Sequence, residues 1–138
     1  MRNIVLPLIA ASILAGCAVG PPPGPVVLDA KQQARMAQLL GGKVAGRPQM
    51  CLPSWRTHNM VTIDDSTLIF QESPGRVWLQ RPKNPCNLLS IGPYALVTRG
   101  STGQLCNGDI AQVVDTLSGS NVGTCVMGDF VPYVRPGA

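Results

Sequence analysis

Thr67-Leu68-Ile69-Phe70-Gln71, then Ser73-Pro74-Gly75, then Arg76-Val77-Trp78-Leu79-Gln80 read as two β-runs joined by a turn. β-branched and aromatic residues fill both runs, and Pro-Gly is turn chemistry. Upstream, Thr57 to Ile63 alternates loosely and Asp64-Asp65-Ser66 supplies another turn, so the three runs form a β-meander. Downstream, Tyr94 to Arg99 follows Gly92-Pro93 as a fourth run and Ile110 to Thr116 is a fifth. Gly123 to Tyr133 holds a sixth, with a kink expected at Gly128. This pattern predicts a mainly β fold, α+β at the margin. Its core is a small antiparallel sheet of about five to six strands, curled or closed into a barrel, with one N-terminal helix. Closure would remove exposed strand edges.

The helix is expected over residues 29–40. Asp29 suits the N-cap, Ala30 to Leu40 are mostly good helix formers, and Gly41-Gly42 supplies the stop. Met36, Leu39 and Leu40 share a narrow apolar face, which suits packing against a sheet better than lying on a membrane. One small domain, residues 29–138 with its β region at 51–133, accounts for most of the chain of 138 residues.

Besides Cys17, the cysteines are Cys51, Cys86, Cys106 and Cys125. No C-x-x-C pair is present, which disfavours both a structural zinc site and redox catalysis. Two structural disulfides are the expected use. Spacing alone leaves all three pairings open. The nested set, Cys51 with Cys125 and Cys86 with Cys106, is preferred because it ties the domain's start to its last strand and staples its long polar connections.

The even count holds only if Cys17 is set apart, and its context does that. Arg2 precedes an apolar run from Ile4 to Leu14, too short to span a bilayer, and Leu14-Ala15-Gly16-Cys17 completes a lipobox. Residues 1–16 therefore read as a lipoprotein signal peptide and Cys17 as the lipidated first residue of the mature chain. Several acyl chains, palmitate among them, make such an anchor effectively permanent. Gly20-Pro21-Pro22-Pro23-Gly24-Pro25, within residues 17–28, reads as a semi-rigid tether. Ala18, in place of the Asp typical of inner-membrane retention in Gram-negative cells, favours the periplasmic face of the outer membrane.

The formal net charge is +4, and removal of Arg2 lowers it by one. The basic residues are scattered, so no nucleic-acid partner is expected. Asp64-Asp65 reads as a β-turn and lacks a calcium-loop context, and no metal or cofactor is expected. No G-x-S-x-G elbow, H-E-x-x-H helix or phosphate cradle is present. His58, the only histidine, is the one candidate general base, with Asp64, Asp65 or Asp109 as its acid. Trp55, His58 and Tyr94 are the candidate binding residues, since aromatic side chains mark recognition surfaces.

Asp64-Asp65-x-x-Leu68-Ile69-Phe70, Cys86, Leu105-Cys106-x-Gly108-Asp109 and Cys125-x-x-Gly128-x-Phe130 together resemble a family of small, uncharacterised proteobacterial four-cysteine envelope proteins, often described as lipoproteins. Leu79 stands where that family would carry a more polar residue. The resemblance implies an exported protein and supplies no activity. The expectation is a membrane-anchored structural or binding module with an envelope protein as partner, and not an enzyme. Two alternatives stand beside it. One is a cell-envelope enzyme built on His58 and an aspartate. The other is an inhibitor-type binding protein, whose layout resembles the lipoprotein lysozyme inhibitors without their motifs.

Overall fold

The computed structural model describes residues 27–54, 58–99 and 103–137. Cys17, the lipobox, most of the tether and Trp55 lie outside the described residues. The helix α1 spans Ala30–Leu40 and begins as its sequence dictates. The Asp29 carboxylate accepts from the Gln32 amide at 2.8 Å, and the Gln32 side chain accepts from the Asp29 amide at 2.9 Å. This reciprocal box satisfies two backbone donors that the first turn leaves over. At the other end the Gly41 amide donates to the Ala37 carbonyl, and Gly42 takes φ +70° to turn the chain away.

Ten strands follow among the described residues. They are β1 (Val44–Ala45), β2 (Cys51–Leu52), β3 (Asn59–Asp64), β4 (Thr67–Ser73) and β5 (Arg76–Gln80), then β6 (Tyr94–Thr98), β7 (Leu105–Cys106), β8 (Ile110–Asp115), β9 (Asn121–Val126) and β10 (Phe130–Val134). The fold is mainly β with one helix, as the sequence pattern predicts. The strands do not form one curled sheet or barrel. They form three antiparallel sheets ordered β1-β10-β5-β4-β3, β2-β7 and β6-β8-β9.

The division occurs where a single sixth strand is expected. β9 belongs to the three-stranded sheet and β10 to the five-stranded one, so Met127-Gly128-Asp129 carries the chain between layers. Gly128 allows that crossing because its backbone presses on Arg81, and a Cβ there would collide with the Arg81 carbonyl oxygen. Pro132, inside β10, is tolerated for a related reason. Its carbonyl accepts from the Gly46 amide on the β1 side, so the missing donor faces that short, irregular edge and costs the β5 ladder nothing.

The layers are α1, the five-stranded sheet and the three-stranded sheet. Leu39 of α1, with Met36 and Leu40, covers Ile63, Ile69, Val77 and Leu79 on one face of the large sheet. The opposite face, with Leu68, Phe70, Trp78 and Phe130, packs on Ala111, Val113 and Cys125 of the small sheet. Phe70 and Phe130 meet at its centre as tilted rings, centroids 6.1 Å apart. Gln80 is fully buried in this layer, and neither its amide nitrogen nor its oxygen has a hydrogen-bond partner.

The disulfides are Cys51–Cys106 and Cys86–Cys125, correcting the nested pairing of Cys51 with Cys125 and Cys86 with Cys106. Each bond follows local backbone pairing. Cys51 and Cys106 are direct partners in the β2–β7 ladder. The Asn107 amide donates to the Met50 carbonyl next to them, so the cysteines occupy a non-hydrogen-bonded position, where opposite strands approach most closely. Their Cα atoms are 4.0 Å apart. Cys86 reaches Cys125 because Asn84 runs alongside β9, bonding the Thr124 carbonyl and the Val126 amide. The bonds span 55 and 39 residues of sequence. By the chain-entropy estimate each is worth about 4 kcal/mol.

Candidate functional site

β4 and β5 form a hairpin in which Phe70 faces Trp78, and a bulge between Gln71 and Ser73 breaks the register beyond it. Glu72 sits in that bulge. Bulges often re-aim a side chain beside a functional site. The Glu72 Oε2 atom accepts from the Trp78 indole N–H at 2.8 Å, and its Oε1 lies 3.7 Å from the Arg76 guanidinium. His58 enters from the segment before β3. Its Nδ1 lies 2.9 Å from the Ser54 carbonyl oxygen. A carbonyl only accepts, so Nδ1 carries the proton and donates. The other ring nitrogen, Nε2, is buried without a hydrogen-bond partner and lies 3.8 Å from Glu72 Oε2.

These four side chains, with Pro53 and Ser54, line a cleft of about 210 Å³. That is below the usual range for drug-sized ligands and suits one inserted side chain or a small polar group. The His58 side chain is only 5% exposed, whereas that of Glu72 is 38% exposed and that of Arg76 48%. The cleft thus presents a carboxylate and a guanidinium at its mouth, with imidazole and indole behind them. With Nδ1 committed to Ser54, a neutral ring aims a lone pair at the carboxylate, and only a protonated ring makes an attractive pair with it.

The aspartates considered as partners for His58 are engaged elsewhere. Asp64 accepts from the Ser66 amide, as expected for a turn. Asp109 accepts from the Cys106 amide across the Asn107-Gly108 turn. Asp65 does more than turn the chain. Its carboxylate accepts from the Leu88 and Ser90 amides, and its own carbonyl accepts from Cys86. It thereby holds the Cys86–Ile91 loop, in which Leu88 takes φ +73°. The acid facing His58 is Glu72. Its signal in the sequence is the β-alternation itself, because extending the Thr67–Gln71 run puts Glu72 on the face of Phe70 and Trp78.

The expected binding residues are not brought together as a set. Tyr94 starts β6 and packs on the core between the sheets, outside the His58 cleft. A second, larger groove of about 630 Å³ runs along α1, lined by Lys31, Arg35, Thr62 and Ile91 among others. Among the described residues it holds no histidine, cysteine or aromatic side chain. Among the described residues no group of three or more histidine, cysteine or acidic side chains is placed to hold a metal ion. No protein-family model, curated protein or solved structure matches the chain.

Proposed function

We propose that the chain is a bacterial envelope lipoprotein, anchored through Cys17 to the periplasmic face of the outer membrane, whose disulfide-linked β domain is a binding module for an envelope protein. The observation that carries this reading is the cysteine arithmetic. Cys51, Cys86, Cys106 and Cys125 are consumed in two disulfides, which belong to oxidising compartments. The remaining cysteine, Cys17, ends the lipobox Leu14-Ala15-Gly16. The same reading groups the chain with the uncharacterised four-cysteine envelope proteins it resembles. The binding face is the cleft of His58, Glu72, Arg76 and Trp78, since a small polar-aromatic recess is what an inserted side chain of a partner needs.

Two measurements test the two halves. The Cys17→Ala chain loses acylation; continued palmitate labelling of that variant refutes the anchor. A photo-crosslinking amino acid at Arg76 captures one discrete envelope protein in intact cells. The same probe at Leu117, exposed in the turn after β8 and outside the cleft lining, does not. Equal capture at both positions refutes the cleft as the binding face.

A further inference from the structure

Among the described residues, four strands end the two larger sheets: β1, β3, β6 and β9. Proteins blunt such edges because unpaired amides and carbonyls recruit other chains. Three are blunted here. β1 is only two residues long. β3 carries a bulge between Thr62 and Asp64 and ends on a carboxylate. β9 is sealed by Asn84, whose side chain bonds Thr124 and Val126, and by the Lys83 amide, which donates to the Val126 carbonyl. Among the described residues β6 has no such device. Tyr94-Ala95-Leu96-Val97-Thr98 contains no charge and no proline, and pairs with β8 without a bulge.

The ladder shows which backbone groups β6 leaves over. The Thr116 amide donates to the Pro93 carbonyl, one step before Tyr94 meets Asp115. Hydrogen-bonded pairs alternate along an antiparallel ladder, so Ala95 and Val97 bond β8, while Leu96 and Thr98 turn their amides and carbonyls outward. The β8–β9 ladder gives the same parity independently. There the Met127 amide donates to the Asp109 carbonyl, so the odd-numbered residues of β8 serve β9 and the even-numbered ones serve β6. The Tyr94 amide is turned back onto the Gly92 carbonyl at 2.8 Å, which leaves the Tyr94 carbonyl for the edge.

We propose that β6 is a homodimerisation edge, at which the strand pairs antiparallel with β6 of a second copy about a two-fold axis through Leu96. In that register the Leu96 amides and carbonyls bond each other, and each Thr98 amide meets the other copy's Tyr94 carbonyl. Ala95 faces Val97, and the flanking Arg99 falls opposite Pro93, so no like charges oppose. Side-chain parity is kept, and Tyr94, Leu96 and Thr98 stay on the core-facing side in both copies. The contact is isologous, so pairing consumes the edge and growth stops at the dimer. The chain itself offers a poor alternative strand. The long stretch outside the described residues approaches α1 as Gly20-Pro21-Pro22-Pro23-Gly24-Pro25, which lacks the donors a ladder requires.

The test uses the full chain, oxidised and in mild detergent, by sedimentation velocity at rising concentration with amide exchange read by NMR. The wild type forms a dimer, and its Leu96 and Thr98 amides gain protection in step with the dimer fraction. Val97→Lys, at a residue 40% exposed, loses the dimer while keeping the near-ultraviolet spectrum of the fold. Leu96→Pro removes an outward donor and no β8 bond, and also loses it. Val122→Lys, 39% exposed on β9 at the far edge of the same sheet, remains dimeric. A wild type that stays monomeric overturns the proposal, as does a dimer that survives Val97→Lys. Loss of the dimer in Val122→Lys while the Leu96 amide exchanges freely also overturns it, because the contact then lies on the sheet face. If Leu96→Pro does not fold, Val97→Lys and the exchange data decide.

Discussion

Replacing Asp65 by alanine tests how the turn between β3 and β4 supports the rest of the domain. The carboxylate accepts from the Ser90 amide at 2.8 Å and the Leu88 amide at 3.0 Å. Both are charge-assisted bonds, each worth about 1.5–3 kcal/mol. The Leu88 bond is part-buried and belongs at the upper end, whereas the Ser90 bond is exposed and belongs at the lower end. They also hold Leu88 at φ +73°, a conformation that a branched side chain adopts only under constraint. Asp65→Ala should therefore cost about 4.5 kcal/mol. Asp65→Asn keeps one acceptor but turns an amide NH2 toward the other donor, so it should cost about 2 kcal/mol. The assay is equilibrium urea unfolding of the oxidised protein, followed by the fluorescence of its two tryptophans, Trp55 and Trp78, with the midpoint shift converted through an unchanged slope. The Cys86–Cys125 bond still tethers the loop, so the fold survives and the loss appears as stability. An alanine variant within about 0.5 kcal/mol of wild type refutes the reasoning, because both amides would then be satisfied equally well by water.

Gly128→Ala places a methyl group against the Arg81 carbonyl at the crossing between sheets, and should cost about 1–3 kcal/mol by the same unfolding assay. Gln80→Met replaces a fully buried, unpartnered amide by an apolar side chain of similar length, and should stabilise by about 1–2 kcal/mol; a loss would show that the amide is paired in solution. The Cys51→Ser/Cys106→Ser double variant opens a bond spanning 55 residues and should lose about 4 kcal/mol, read from the urea midpoint with Cys86–Cys125 intact.

Local chemistry was legible in the residues. Asp29 with Gln32 three positions on, and Gly41-Gly42 after the last apolar residue, mark the ends of α1 because capping is decided within one turn of chain. The turns at Asp65-Ser66 and Pro74-Gly75, and the runs around Phe70 and Trp78, mark β3, β4 and β5 for the same reason. β1, β2 and β7 are two residues each, too short to carry any periodicity. Alternation places Glu72 on the face of Phe70 and Trp78, but its approach to His58 depends on the bulge between Gln71 and Ser73, which is set by the pairing partner and not by the strand alone.

The sequence by itself determined a mainly β domain with one capped helix, two turns of the first meander and an even number of cysteines, four, within residues 51–125. These follow from periodicity and turn chemistry, which act over a few residues, and from the count itself. Only the tertiary structure decided that the strands divide into two stacked sheets and a small bridge, that Cys51 meets Cys106 and Cys86 meets Cys125, and that His58 faces Glu72. Each of those depends on which strands become neighbours. That choice rests on long-range burial of Leu68, Phe70 and Phe130 against Val113 and Cys125, residues whose separation along the chain carries no local signal.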